Sequence, residues 1–252
     1  RGSDPQINLA NRSLYRVFTD TTFTRGGRFY GGWWQQIPSE YRGRILINGK
    51  KTVEFDYGGL HPNILYAEVG IEMSEDPYNG ILPLKYRTLV KKAFNAMIQA
   101  STALTSKPEN IDLDPLGMTW RDLRQAVLDA HKPIGHLFFT GLGNQLQFED
   151  SSIAESIMLQ FAAIDAPALP IHDSFIMHHG YASELEENMR RGFYERFGRD
   201  INVKHEMVEE IVDNEEDDSE LKSLTFDEII EGDKERTEWT ERSDLWFKTV
   251  NP

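Results

Sequence analysis

Two apolar hairpins and several segments of helical periodicity predict an α+β fold, in which an antiparallel sheet is packed by helices. The hairpins occupy residues 44–56, turning at Asn48-Gly49, and residues 168–178, turning at His172-Asp173. Asn-Gly is the favoured two-residue hairpin turn because both residues accept positive φ. Each hairpin presents one aspartate: Asp56 closes the apolar strand Val53-Glu54-Phe55, and Asp173 stands at the tip of Leu169-Pro170-Ile171-His172.

The remaining elements follow in order after a short irregular start. Beyond Gly58-Gly59, residues 62–69 have the apolar spacing of a short helix. Pro83 precedes a longer one over 84–103, where Leu89, Val90, Ala93, Met97 and Ile98 recur at helical intervals. Residues 108–115 read as a loop and 120–130 as an amphipathic helix. Residues 151–164 are apolar nearly all round, which predicts a buried helix. Residues 183–197 form an amphipathic surface helix, and from Glu206 the sequence turns acidic and poor in apolar residues, a composition expected to be partly disordered.

With 252 residues, 39% of them hydrophobic, the chain has enough apolar mass for one large domain or one domain with an inserted subdomain. The absence of cysteine excludes disulfides and thiolate zinc sites. No apolar run approaches the roughly 18 residues of a membrane span, and no signal-peptide pattern opens the sequence, so a cytoplasmic protein without a membrane partner is expected. The formal charge of -14 is unevenly placed: residues 206–244 hold 17 Asp or Glu against 4 Lys or Arg, whereas residues 1–50 hold 8 Lys or Arg against 3 acids. A basic front of this kind remains compatible with a phosphate backbone.

Three constellations carry chemistry. An Asp after a strand is often an N-cap, and an Asp in a hairpin is often a turn former. Two carboxylates presented from neighbouring strand ends are also what paired magnesium ions need for phosphoryl or nucleotidyl transfer. Between them in sequence lies a helix with Arg87, Lys91 and Asn95 on one face, Lys85 and Lys92 nearby, and no acid from 85 to 100. It reads either as a solvated basic face or as a clamp for a triphosphate. The third is Thr24-Arg25-Gly26-Gly27-Arg28-Phe29-Tyr30-Gly31-Gly32-Trp33-Trp34-Gln35-Gln36-Ile37-Pro38, read either as a glycine-rich loop anchored by core tryptophans or as a surface for sugar, phosphate or minor-groove edges. His178-His179 is not expected to form a metal site, because strand geometry sends adjacent side chains to opposite faces.

In order along the chain, Gly27-Arg28 with Gln35-Gln36-Ile37-Pro38, Asp56-Tyr57 with Leu60, Arg87-x-x-x-Lys91, Gln147 before a buried helix, and His172-Asp173 resemble the core motifs of family A DNA polymerases. The resemblance covers about residues 24–197. It implies a palm of antiparallel strands with an inserted helical fingers subdomain at about 70–150, together spanning residues 1–205, followed by an acidic extension over 206–252. The short interval from Asp56 to Asp173 and the short stretch before Arg28 add the expectation of a reduced enzyme with neither thumb nor exonuclease, and hence of low processivity unless missing residues or a partner supply the clamp.

The same resemblance implies that Asp56, Asp173 and the carbonyl of Tyr57 bind two Mg2+ ions, for which Mn2+ substitutes. Arg87 and Lys91 hold the incoming nucleoside triphosphate, Lys91 also giving a proton to pyrophosphate, while Tyr57, His61 and Asn95 border the nucleotide. Arg28, Gln36, Gln147 and His172 contact the DNA primer-template. The acidic extension is expected to be solvated surface, with two further readings: a nucleic-acid mimic over the basic groove, or a peptide that docks a replication partner through Trp239, Trp246 and Phe247.

Several positions depart from the family pattern. His61 stands where the family usually has a Glu that crowds a ribose 2′-hydroxyl, and Asn95 and Gln99-Ala100 stand where it has an aromatic and Tyr-Gly. Ser174 replaces the carboxylate that commonly follows His-Asp; single-subunit RNA polymerases also carry His-Asp-Ser there. The expected activity is therefore primer extension by a small DNA polymerase of a phage, plasmid or mobile element. A catalytically silent DNA-binding scaffold and an RNA polymerase or primase stand as alternatives.

Overall fold

The structure, a computed structural model, describes residues 7–73 and 75–206. The predicted acidic extension, with its expected disorder, lies outside the described residues apart from Glu206. The first element is an antiparallel ribbon of β1 (Tyr15–Phe18) and β2 (Gly26–Tyr30), where the sequence suggested an irregular start and a glycine loop. Glycine is required at the crossing: Gly27 has φ +84, and a Cβ there would lie 2.7 Å from the Phe18 ring. A 3₁₀ turn, Trp33–Gln36, and the short helix α1 (Ser39–Arg42) lead into β3 (Leu46–Ile47) and β4 (Lys50–Tyr57). Asn48 and Gly49 join these strands at φ 54 and 75, as a primed turn demands.

Helix α2 (Leu60–Glu68) follows directly. After a 3₁₀ turn at Leu84–Tyr86 comes α3 (Arg87–Gln99), four residues shorter at its end than periodicity suggests. Ala100 turns extended, and the carbonyls of Met97 and Ala100 accept from Phe139 and Gly141 instead of continuing the helix. Helix α4 (Trp120–Ala130) has a capping box in which Thr119 and Asp122 satisfy each other's backbone N–H, a feature that contributes about 1 kcal/mol.

Helix α5 (Gly143–Ala162) starts eight residues before the predicted segment and is not buried all round, since Leu159 is 66% exposed. The second hairpin is β5 (Leu169–Ile171) and β6 (Ser174–His178), followed by α6 (Ala182–Phe197) and by β7 (Val203–Glu206), a strand hidden in the sequence by its polar composition.

The fold is thus α+β, with a two-stranded ribbon and a five-stranded antiparallel sheet in the order β3-β4-β6-β5, β7 pairing the other edge of β4's C-terminal half. Side chains alternate across the sheet. Phe55, Tyr57, Phe175 and Met177 join the large core, which includes Ile64 of α2, Phe94 of α3, Leu123 of α4, Ile157 of α5 and Phe193 of α6. On the opposite face Ile176 joins Ile171, Trp34 and Ile45 in a small second cluster. Among the described residues no helix is long and apolar enough to cross a membrane.

Candidate functional site

Asp56 and Asp173 come together at the ends of the two central strands. Asp56 pairs with Ser174 across β4 and β6, and the Tyr57 N–H donates to the Asp173 carbonyl at 3.3 Å. Ile171 and Ser174 close a two-residue turn in which His172 takes φ 57, so the hairpin tip is held against the end of β4. Both aspartates are half-buried. Burial pushes the buried Tyr78 hydroxyl well above its ordinary pKa; Arg87 opposes this, while Asp173, Asp76 and Asp56 add to it. Tyr78 therefore lies within the fields of both aspartates and of the basic helix face.

That face is real: Arg87, Lys91 and Asn95 follow one another along α3, opposite Val90, Phe94 and Met97 in the core. The guanidinium of Arg87 is committed to Asp76, 2.7 Å from its carboxylate, and lies over the Tyr78 ring. Burial would raise the Asp76 pKa, but the Tyr78 N–H and Arg87 outweigh it and hold it low. Lys91 is exposed and makes no hydrogen bond or ion pair among the described residues, while Asn95 is half-buried. Between Arg87, Asp76, Gly58, Asn63 and Lys204 lies a small cavity of about 90 Å³.

A second polar group is built around Asp150, a residue that sequence reasoning missed. Arg28 donates to its Oδ2 from Nε at 3.0 Å and Nη2 at 2.5 Å, and His61 Nε2 approaches the same oxygen at 3.0 Å. Asp150 is only 2% exposed and its Oδ1 has no hydrogen-bond partner among the described residues. A carboxylate at that depth needs a compensating cation. The available signal was an acid on the buried stripe of α5 that also holds Leu146, Ile153 and Ile157. Burial alone would lower the Arg28 pKa, but Asp150 and, more weakly, Asp173 keep it raised. Its Nη1 makes no hydrogen bond among the described residues. Gln147 lies one turn before Asp150, half-buried, and makes no hydrogen bond among the described residues.

His172 shows an exposed edge, stands edge-on to the Tyr30 ring, and is held below the ordinary imidazole pKa by burial of its inner side and by the Arg28 charge. Gln36 is exposed, whereas its neighbour Gln35 is structural, donating to the carbonyls of Phe29 and Pro170 at 3.0 Å each. The Tyr57 side chain enters the core, where its hydroxyl donates to the Met189 carbonyl at 2.6 Å. Its own carbonyl accepts from Gly59 N–H at 2.8 Å, leaving one lone pair.

Glu54 also escaped sequence reasoning. It shares the face of Asp56 and accepts from the Ser174 hydroxyl at 2.8 Å and from Arg42 at 3.1 Å. The expectation for His178 and His179 is corrected: β6 ends between them, so strand alternation no longer applies and the rings stack 4.8 Å apart. His178 Nδ1 accepts from the Gly180 N–H, a structural use of that ring.

Among the described residues no group of three or more His, Asp or Glu assembles to hold a metal. Asp56, Asp173 and the free lone pair of the Tyr57 carbonyl are hard oxygen donors, the type that Mg2+ accepts when water and substrate phosphate complete its shell. Such a donor set suits a phosphate-bound ion rather than a closed structural site. No protein-family model matches the chain, and a search of curated proteins returns no match.

Proposed function

We propose that the chain is a template-directed nucleotidyltransferase, a small family A-like DNA polymerase that extends a primer 3′-hydroxyl. The observation that carries this reading is the antiparallel pairing of β4 with β6, which sets Asp56 beside the Asp173 hairpin tip, with the fields of Arg87 and both aspartates meeting at Tyr78. On this reading residues 1–205 are a palm with fingers at about 70–150.

Asp56, Asp173 and the Tyr57 carbonyl hold magnesium, which when bound lowers the pKa of the 3′-hydroxyl and neutralises charge on pyrophosphate. The 3′-hydroxyl gives its proton to water, and its oxygen bonds to the α-phosphorus as the bond to the bridging oxygen of pyrophosphate breaks. Lys91 Nζ, exposed and without an ion pair among the described residues, gives a proton to that leaving oxygen and neutralises the triphosphate. Arg28 offers Nη1 to the primer terminus while Asp150 fixes its plane, and Gln147, Gln36 and His172 border the primer-template. His61 and Asn95 border the sugar.

Primer extension with Mg2+ tests the reading, using deoxyribo- and ribonucleotide sets in parallel. Template-dependent incorporation, lost in Asp173→Asn, is expected; no incorporation under either set overturns it. A second reading, a catalytically silent DNA-binding scaffold, is favoured by the internal engagement of two nucleotide-site residues, Arg87 with Asp76 and His61 with Asp150. Salt-sensitive primer-template binding with no incorporation selects it. Preferential use of ribonucleotides selects an RNA polymerase or primase.

A further inference from the structure

At the β3 end of the sheet lies an uncovered apolar surface. Two adjoining grooves of about 700 and 550 Å³ share Trp33 and Leu46 as their common wall. Leu9, Leu14 and Leu169 continue the surface on one side and Ile37 and Tyr41 on the other. Leu9 and Leu46 are each 58% exposed and Tyr41 43%, although Trp34 and Ile45 directly beneath are buried. Arg12 lies on the rim of the first groove and Arg44 on that of the second, and both are exposed. An apolar floor with a cationic rim fits a ligand that offers aromatic side chains flanked by acids.

The course of β7 directs the chain towards this surface. The strand runs antiparallel to β4, with Tyr57 opposite Val203 and Glu54 opposite Glu206, so it travels towards Lys51, whose partner on β3 is Leu46. From Glu206 to the level of Leu46 is three strand positions, about 10 Å. Beyond Glu206 the sequence supplies 46 more residues. Their aromatics near the end are acid-flanked: Glu238-Trp239 with Glu241, and Asp244-Leu245-Trp246-Phe247.

We propose that the segment 207–252 docks in cis on this surface, seating Trp239, Trp246 and Phe247 against Trp33, Leu46 and Tyr41, with its carboxylates towards Arg12 and Arg44. Tethering places the aromatics at an effective concentration in the millimolar range, so a contact weak between separate molecules is populated within one chain. This assigns the aromatic end of the segment to the protein's own surface rather than to the basic face of α3. It holds whichever activity the Asp56 site has.

Amide hydrogen exchange on the full chain tests it. In the triple variant Trp239→Ala, Trp246→Ala, Phe247→Ala, exchange over residues 41–47 is expected to accelerate about tenfold, the protection given by a tethered concentration ten times the dissociation constant. Residues 120–130 serve as the unaffected control. The reciprocal variant Leu46→Asp, at an exposed position outside the core, is expected to accelerate exchange over residues 239–247 by a similar factor. Unchanged exchange in both variants overturns the proposal. So does acceleration over 26–30 and 84–99 instead, which places the segment on the basic face. Protection of 41–47 that depends on protein concentration also overturns it, since the occupant is then a second copy.

Discussion

The two faces of β4 and β6 make opposite demands on residues one position apart. Phe55, Tyr57, Phe175 and Met177 face the helices and are at most 6% exposed. Glu54, Asp56 and Ser174 face the other way, where Ser174 and Arg42 serve Glu54. The helix side rewards apolar volume and tolerates no loss of it; the other side accepts half-buried charge because hydrogen-bonding and cationic partners such as Ser174 and Arg42 reach it. Substitutions along one strand should therefore alternate between a stability effect and a functional effect.

The sharpest comparison is Phe175 against Asp173, two residues apart on one hairpin. Phe175→Ala is expected to cost about 3–5 kcal/mol, read as a lowered urea midpoint, because a fully buried ring leaves a cavity. Asp173→Asn should lower Mg2+-dependent incorporation on the order of a hundredfold or more, the scale of losing one electrostatic catalytic group, without lowering the urea midpoint. A large stability loss from Asp173→Asn would break the division between the faces.

Tyr57 and Asp56 repeat the contrast on β4. Tyr57→Phe removes the hydroxyl bonded to the Met189 carbonyl and is expected to cost about 1 kcal/mol while leaving activity intact. An activity loss without a stability loss would place the Tyr57 side chain in the functional site, against its burial.

The smallest effect separates the two sides by pH. His131, inside the core, and His172, at the hairpin tip, both titrate below the ordinary imidazole value: burial lowers His131, and burial with Arg28 lowers His172. The unfolded chain then takes up each proton first. Stability is fully present above about pH 6.5 and falls as pH drops from there towards the folded values. His172→Gln should reduce the loss of Tm between pH 7 and pH 5 by under about 2 °C. An unchanged pH dependence would leave the whole effect to the buried side.

What the sequence made legible follows the range of the forces involved. The Asn48-Gly49 turn, the amphipathic helix α4 and the stripe on α3 are local, and each could be read from its own residues. The ribbon β1–β2 was hidden because Gly26 and Gly27, needed at positive φ, look like loop residues without the Phe18 ring they cross. The aspartate pair was visible as two strand ends, but their register was not, because it depends on pairing residues more than a hundred positions apart. Asp150 could not be recognised for the same reason: its partners Arg28 and His61 lie 122 and 89 residues away.

The pairing of β7 with Glu54–Tyr57 also fixes when the carboxylate site can exist during synthesis. Asp56 leaves the ribosome early, but its strand gains β6 only after residue 178 and β7 only after residue 206. At about 5–20 residues per second, Asp56 waits roughly 7–30 s for its second ladder. Until then its strand has an unpaired edge, so the sheet around Asp56 is incomplete over that interval.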